Sequence, residues 1–223
     1  MEMSTKKNRI KWIEIVFDLT YLFIVLLSAS LLYKNVEIGS VGWKFAIMSF
    51  LLGAGDSFHL IPRIFALIDS SDRDYTVSLG IGKFVTSITM TIFYIFLWEI
   101  GKEYYAFNIG SKFSICVYGL ALLRIILCFF PYNQWTYKNP SVKWVIIRNI
   151  PFLILGIVVM VLFLIGAIIN GGSLSYIWFA ILISFICYMP VVLYVHKKPM
   201  VGMLMLPKSC AYVAIVLMGF SII

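Results

Sequence analysis

Histidine is nearly missing from this chain. There are two, His59 and His196, well apart in the sequence. A structural zinc site takes four ligands and a catalytic one takes three, so a three-histidine zinc centre is excluded, and both metal and cofactor are read as none. Cysteine adds nothing to that chemistry. Cys116, Cys128, Cys187 and Cys210 form no CxxC pair and all lie in apolar stretches, which marks them as packing residues and not as a disulfide or redox framework. Charged residues are only 13% of the chain, about half the share of a soluble domain. Disorder, collagen, coiled coil and a secreted disulfide scaffold are excluded with it. No low-complexity tract is present, and no internal repeat of the three-plus-three transporter kind.

What fills the 223 residues is hydrophobic side chain, 62% of the total, with a mean hydropathy of +0.98. Seven apolar stretches run over 12–33, 42–67, 77–100, 112–131, 144–169, 174–195 and 200–222. Each is about 20 residues or longer, enough for a helix rising about 1.5 Å per residue to cross the hydrocarbon core. Short polar breaks separate them, such as Asn170-Gly171-Gly172-Ser173 and His196-Lys197-Lys198-Pro199. The expectation is all-α: a single seven-helix membrane domain over 1–223. The basic start, Lys6, Lys7, Arg9 and Lys11, would suit a signal peptide, but Glu14 and Asp18 interrupt the apolar region and no small-x-small site follows. The first stretch is therefore read as a retained span.

Lysine and arginine at the span ends give orientation. Ten lie on the side of the N-terminus, among them Lys11, Arg73, Lys138, Lys143, Lys197 and Lys198, and four on the other: Lys34, Lys44, Lys102 and Lys112. That places the N-terminus in the cytoplasm, the C-terminus outside and the protein in the cell membrane. The net charge of +8 then reflects topology and attraction to anionic headgroups, with no nucleic acid as partner.

Ionisable residues within spans are expensive and mark function by default. Here they are Glu14 and Asp18 in the first span, Asp56, His59 and Arg63 in the second, and Lys83, Arg124, Arg148 and Lys208 in the third, fourth, fifth and seventh. Asp18 enters its span by about 12 Å, counted at the helical rise, and the others reach similar depths from the same side. A one-sided layer of this kind reads as a shared cavity open to the cytoplasm. In the second span Asp56, His59 and Arg63 follow i, i+3, i+7 spacing and share one helix face. Gly53 and Gly55 allow a close helix approach, and Pro62 leaves the Phe58 carbonyl without its donor. The structural alternative is an Asp56–Arg63 pair bridged by His59. Glu14 and Asp18, one turn apart, share protons or take a base from another helix, Lys83 or Arg124. Lys208 beside a kinking Pro207 is a deep lysine, or else the partner of Asp18 or Asp56. Trp43, Trp98, Trp135 and Trp144 read as interface anchors.

The layer holds three carboxylates against five Lys and Arg side chains, so an anion is the simplest missing partner: an anionic lipid headgroup or a small anion. In the first hypothesis Asp56, His59 and Asp18 perform acid–base catalysis on a lipid. Glu14, Arg63, Lys83, Arg124, Arg148 and Lys208 then hold its headgroup. The alternatives are a small-solute or proton-coupled transporter and a seven-helix ligand sensor. A retinal protein built on Lys208 lacks a carboxylate counterion in the third span other than the peripheral Glu99.

The run Gly53-Ala54-Gly55 followed by Phe58-His59, with Asp72 or Asp74 about a dozen residues later, resembles the alkaline ceramidase and progestin-receptor-like superfamily of seven-helix hydrolases. The resemblance implies a lipid hydrolase with a histidine pair in its seventh helix, and this seventh span has no histidine. Gly55-Asp56-Ser57-Phe58 is similar to a motif of the lysoplasmalogenase family. Trp12-Ile13-Glu14 with Phe17-Asp18-Leu19 is similar to the opening of the low-temperature-requirement family. Each match covers less than about a tenth of the chain.

Overall fold

The computed structural model describes residues 2–69, 71, 73–195 and 197–223, and the side chains from residue 11 onward except that of Pro199. Asp72 and His196 therefore lie outside the described residues, as do the side chains of Lys6, Lys7 and Arg9. Seven α-helices are present among the described residues: α1 (Glu2–Lys34), α2 (Val41–Ile68), α3 (Thr76–Tyr104), α4 (Ser111–Phe129), α5 (Val142–Ile169), α6 (Ile177–Tyr194) and α7 (Met205–Met218). Counting a 3-10 turn over Pro199–Leu204 as the lead into α7, all seven are long and apolar enough to cross a membrane. This is the architecture of a multi-pass integral membrane protein. Phe23, Ile115, Ile168 and many other large apolar side chains lie exposed on its outside, where in water they would drive aggregation and in lipid they are solvated.

Each helix packs on its chain neighbours, α7 closes on α1, and α3 lies against both α4 and α5. Close approaches are made at glycine. A Cβ on Gly55 would collide with Thr89 of α3, and one on Gly82 would collide with the Phe58 carbonyl and His59. The carbonyl that Pro62 leaves without a donor is thus covered by the α3 backbone. Gly171 and Gly172 turn the chain between α5 and α6 with positive φ, +64° and +98°, which suits residues without a Cβ.

Two sequence expectations are corrected. Pro207 does not kink α7, because the α-helix begins at Met205 and the proline falls in its first turn, where a missing N–H breaks no intrahelical bond. Trp98 is not an interface anchor: α3 continues to Tyr104, well past it, and its ring is buried in the core at 1% exposure. That core fills the middle and one end of the bundle with Phe93, Tyr94, Leu97, Leu155, Val159 and Phe163. The other end is hollow.

Candidate functional site

The hollow is a cavity of about 350 Å³ formed by the end of α2, the start of α3, the end of α4, the α4–α5 connection, the start of α5, the end of α6 and the entry to α7. Six of the singled-out residues line it: His59, Arg63, Lys83, Arg124, Arg148 and Lys208. Glu14, Asp18 and Asp56 do not. Spacing, depth and charge cost predict that Asp18, Asp56, His59 and Lys208 converge on one cavity; His59 and Lys208 meet at this one, while Asp18 and Asp56 do not line it.

The carboxylates have other partners. Arg63 Nη2 donates to Glu14 Oε2 at 2.9 Å, and its Nη1 lies 3.6 Å from Asp18 Oδ2. The second distance is an ion pair without a hydrogen bond. Arg63 thus serves both Glu14 and Asp18, in place of the Asp56 partner or the Lys83 and Arg124 pairings that spacing left open. Asp56 instead accepts a hydrogen bond from the Tyr21 hydroxyl at 2.6 Å. Lys208 makes no ion pair with Asp18 or Asp56 among the described residues. Its ammonium lies over the rings of Tyr188 and Tyr212, at 4.9 and 5.3 Å from their centres, a cation–π setting.

Arg124 and Arg148 are held in matching ways. Arg124 lies over the Phe152 ring at 3.6 Å and donates from Nη1 to Asn149 Oδ1 at 3.3 Å. Arg148 lies over the Trp135 ring at 3.9 Å and donates from Nη1 to Asn133 Oδ1 at 3.0 Å. Each asparagine is fixed in turn. Asn149 Nδ2 donates to the Val145 carbonyl at 2.7 Å and its Oδ1 also accepts from Tyr188 at 2.8 Å. Asn133 Nδ2 donates to the carbonyls of Leu127, Cys128 and Phe130. Those are carbonyls of the last turn of α4 and the residue after it, which have no partner within the helix. The same turn binds Trp135, whose Nε1 donates to the Cys128 carbonyl at 2.9 Å. Trp135 is therefore a cavity wall and not an interface anchor, and its backbone nests against α3 at Gly80, where a Cβ would not fit.

Stacking and one amide contact fix each guanidinium plane. Arg124 is 2% exposed, and among the described residues neither its Nε nor His59 Nδ1 has a hydrogen-bond partner. No ion pair among the described residues engages Lys83, Arg124, Arg148 or Lys208. A buried guanidinium with an idle donor and no counter-charge is costly, and a bound anion relieves that cost. The rest of the wall is apolar, with Val145, Val191, Val192, Val195 and Met205 around the charges and Phe152 beneath them. The Phe152 ring packs on Tyr94 and Phe185, which close the floor.

The sequence pattern singled out neither Asn133, Phe152 nor Tyr188, and it read Trp135 only as an interface anchor. Asn149 was noted only as the neighbour of Arg148, although the arginine it holds is Arg124. One signal was present: Asn133-Gln134-Trp135 is a polar and aromatic run directly after a span that carries Arg124 near its end. Among the described residues no three His, Cys, Asp or Glu side chains come together in a way that could hold a metal ion. Comparison with protein-family models, curated proteins and solved structures finds no match.

Proposed function

We propose that the protein binds an anionic amphiphile, a membrane lipid or a molecule like one, with its headgroup in this cavity. The observation that carries the reading is a single cavity lined by five lysine and arginine side chains and no carboxylate. Among the described residues only Arg63 of the five is ion-paired. Preformed guanidinium forks suit phosphate and carboxylate oxygens, and the valine and methionine walls suit the start of an acyl or isoprenoid chain. The arrangement supports binding more than hydrolysis. Asp18 and Asp56, the expected acid–base groups, are engaged with Arg63 and Tyr21 away from the cavity. Lysine and arginine bias supports a cytoplasmic position for the cavity end, on the side where anionic headgroups are enriched.

Native mass spectrometry of the full chain, purified in mild zwitterionic detergent, tests the reading. An anionic lipid should remain bound to the wild type and be lost from Arg124→Gln. Equal retention of zwitterionic lipid by both proteins would overturn it. Cysteine-labelling reporters test the orientation: a reporter at Lys198 should label only from the cytoplasm and one at Ile223 only from outside.

A further inference from the structure

The charge arrangement carries the proposed function to a narrower ligand class, and the inference rests on that reading. We propose that the headgroup is a phosphomonoester, with close to two negative charges at neutral pH, and not a phosphodiester or carboxylate with one.

The first ground is the charge count. Within the spans at this end Glu14, Asp18 and Asp56 are the three carboxylates, and Arg63, Lys83, Arg124, Arg148 and Lys208 are the five cations. With all ionised the excess is two positive charges. A monoester phosphate carries about −1.5 to −2 at pH 7, so it neutralises that excess, while a diester or a carboxylate leaves one charge uncompensated in a setting of low dielectric. The second ground is geometry. Glu14 and Asp18 both lie on the Arg63 side and Asp56 is the acid that faces Lys208, so the uncompensated charge sits on the other walls, on Arg124, Arg148 and Lys83. The two guanidinium groups come from α4 and α5, each fixed by a ring and an asparagine oxygen. Two forks and two ammonium groups present more donors than the two oxygens of a carboxylate or the two free oxygens of a diester can accept. A monoester offers three terminal oxygens.

The test uses the full chain in phosphatidylcholine nanodiscs, with binding measured for phosphatidic acid, phosphatidylglycerol, oleate and inorganic phosphate. Phosphatidic acid should bind at least about tenfold more tightly than phosphatidylglycerol or oleate, the scale of one charge-assisted hydrogen bond. Lys83→Gln, at the exposed rim, removes one cation without disturbing the core and should shrink that preference several-fold. Arg148→Gln should shrink it further. Equal affinity for phosphatidic acid and phosphatidylglycerol, or a preference untouched by Lys83→Gln, would overturn the dianion inference while leaving an anion-binding cavity in place. Binding of none of the four would overturn the proposed function itself. Inorganic phosphate bound as tightly as phosphatidic acid would keep the dianion and assign it to a soluble phosphate, removing the amphiphile. An excess of phosphate that merely competes with the lipid supports recognition of the headgroup.

Discussion

The two ends of the bundle treat positive charge in opposite ways. At the end away from the cavity both half-buried lysines have carboxylates: Lys44 pairs with Glu103, and Lys102 pairs with Glu99 at 2.9 Å. Tyr118 donates to the same Glu99, and Lys102 also stands over Trp98. At the cavity end Arg63 pairs with Glu14 and Asp18, but no ion pair among the described residues engages Lys83, Arg124, Arg148 or Lys208, which have aromatic faces, amides or open space around them. The chain therefore can place glutamates beside lysines near a helix end. Where it does not, the cations surround a hollow. On the proposed function, paired charge at one end is structural and the cations without an ion pair at the other meet the charge of the ligand.

Removing the deepest unpaired charge should give the largest effect and break the comparison most sharply. Arg124→Met keeps a chain that can lie on Phe152 but deletes the charge. It should abolish retention of anionic lipid and, in lipid-free zwitterionic detergent, raise stability by about 1–4 kcal/mol, as replacing buried charge by apolar side chains often does. Thermal unfolding with and without anionic lipid checks both halves, and a fall in lipid-free stability would make Arg124 a structural residue. Next in size is Asn149→Ala, which frees the Arg124 fork and strands the Tyr188 hydroxyl. Affinity for the anionic ligand should drop about tenfold, measured by titration in nanodiscs. Glu103→Gln at the far end should change stability by no more than about 1 kcal/mol, since the pair is partly exposed, and leave ligand affinity unchanged.

The smallest effect belongs to the loop between α2 and α3. Hydrogen bonds from the Ser71 side chain and backbone N–H, and from the Tyr75 hydroxyl, hold the Asp69 carboxyl down at about 2. A folded-state value below the unfolded one stabilises at higher pH, so this contribution is complete above about pH 4 and is lost as the pH falls toward 2. Asp69→Asn should flatten the stability–pH profile in that window alone, which acid titration of thermal stability would show.

The seven spans were legible because a helix in lipid needs about 20 apolar residues and this chain has little else. The layer of ionisable residues was legible for the same reason, since a charge inside a span has nowhere neutral to go. Partners were not legible. Spacing put Asp56 and Arg63 on one face of α2, yet α1 supplies Glu14 and Asp18 to the arginine and Tyr21 to the aspartate. Which helix lies alongside is a tertiary fact that one-dimensional spacing does not contain. Trp135 read as an anchor because it follows a span, but the 3-10 turn over Pro131–Asn133 folds the connection back over the end of α4. The pairing of Arg124 with Asn149, 25 residues on, likewise depends on the way α5 returns beside α4.

Photo-crosslinking puts the contrast between the two ends to its most direct test. A phosphatidic acid analogue with a photoreactive group near its phosphate would be bound to the full chain in nanodiscs, and the labelled peptides mapped. Labelling should fall on the start of α3, the α4–α5 connection and the end of α6, and should be lost in Arg124→Met. Labelling at the paired end, around Lys102 and Lys112, or labelling indifferent to Arg124, would contradict the account.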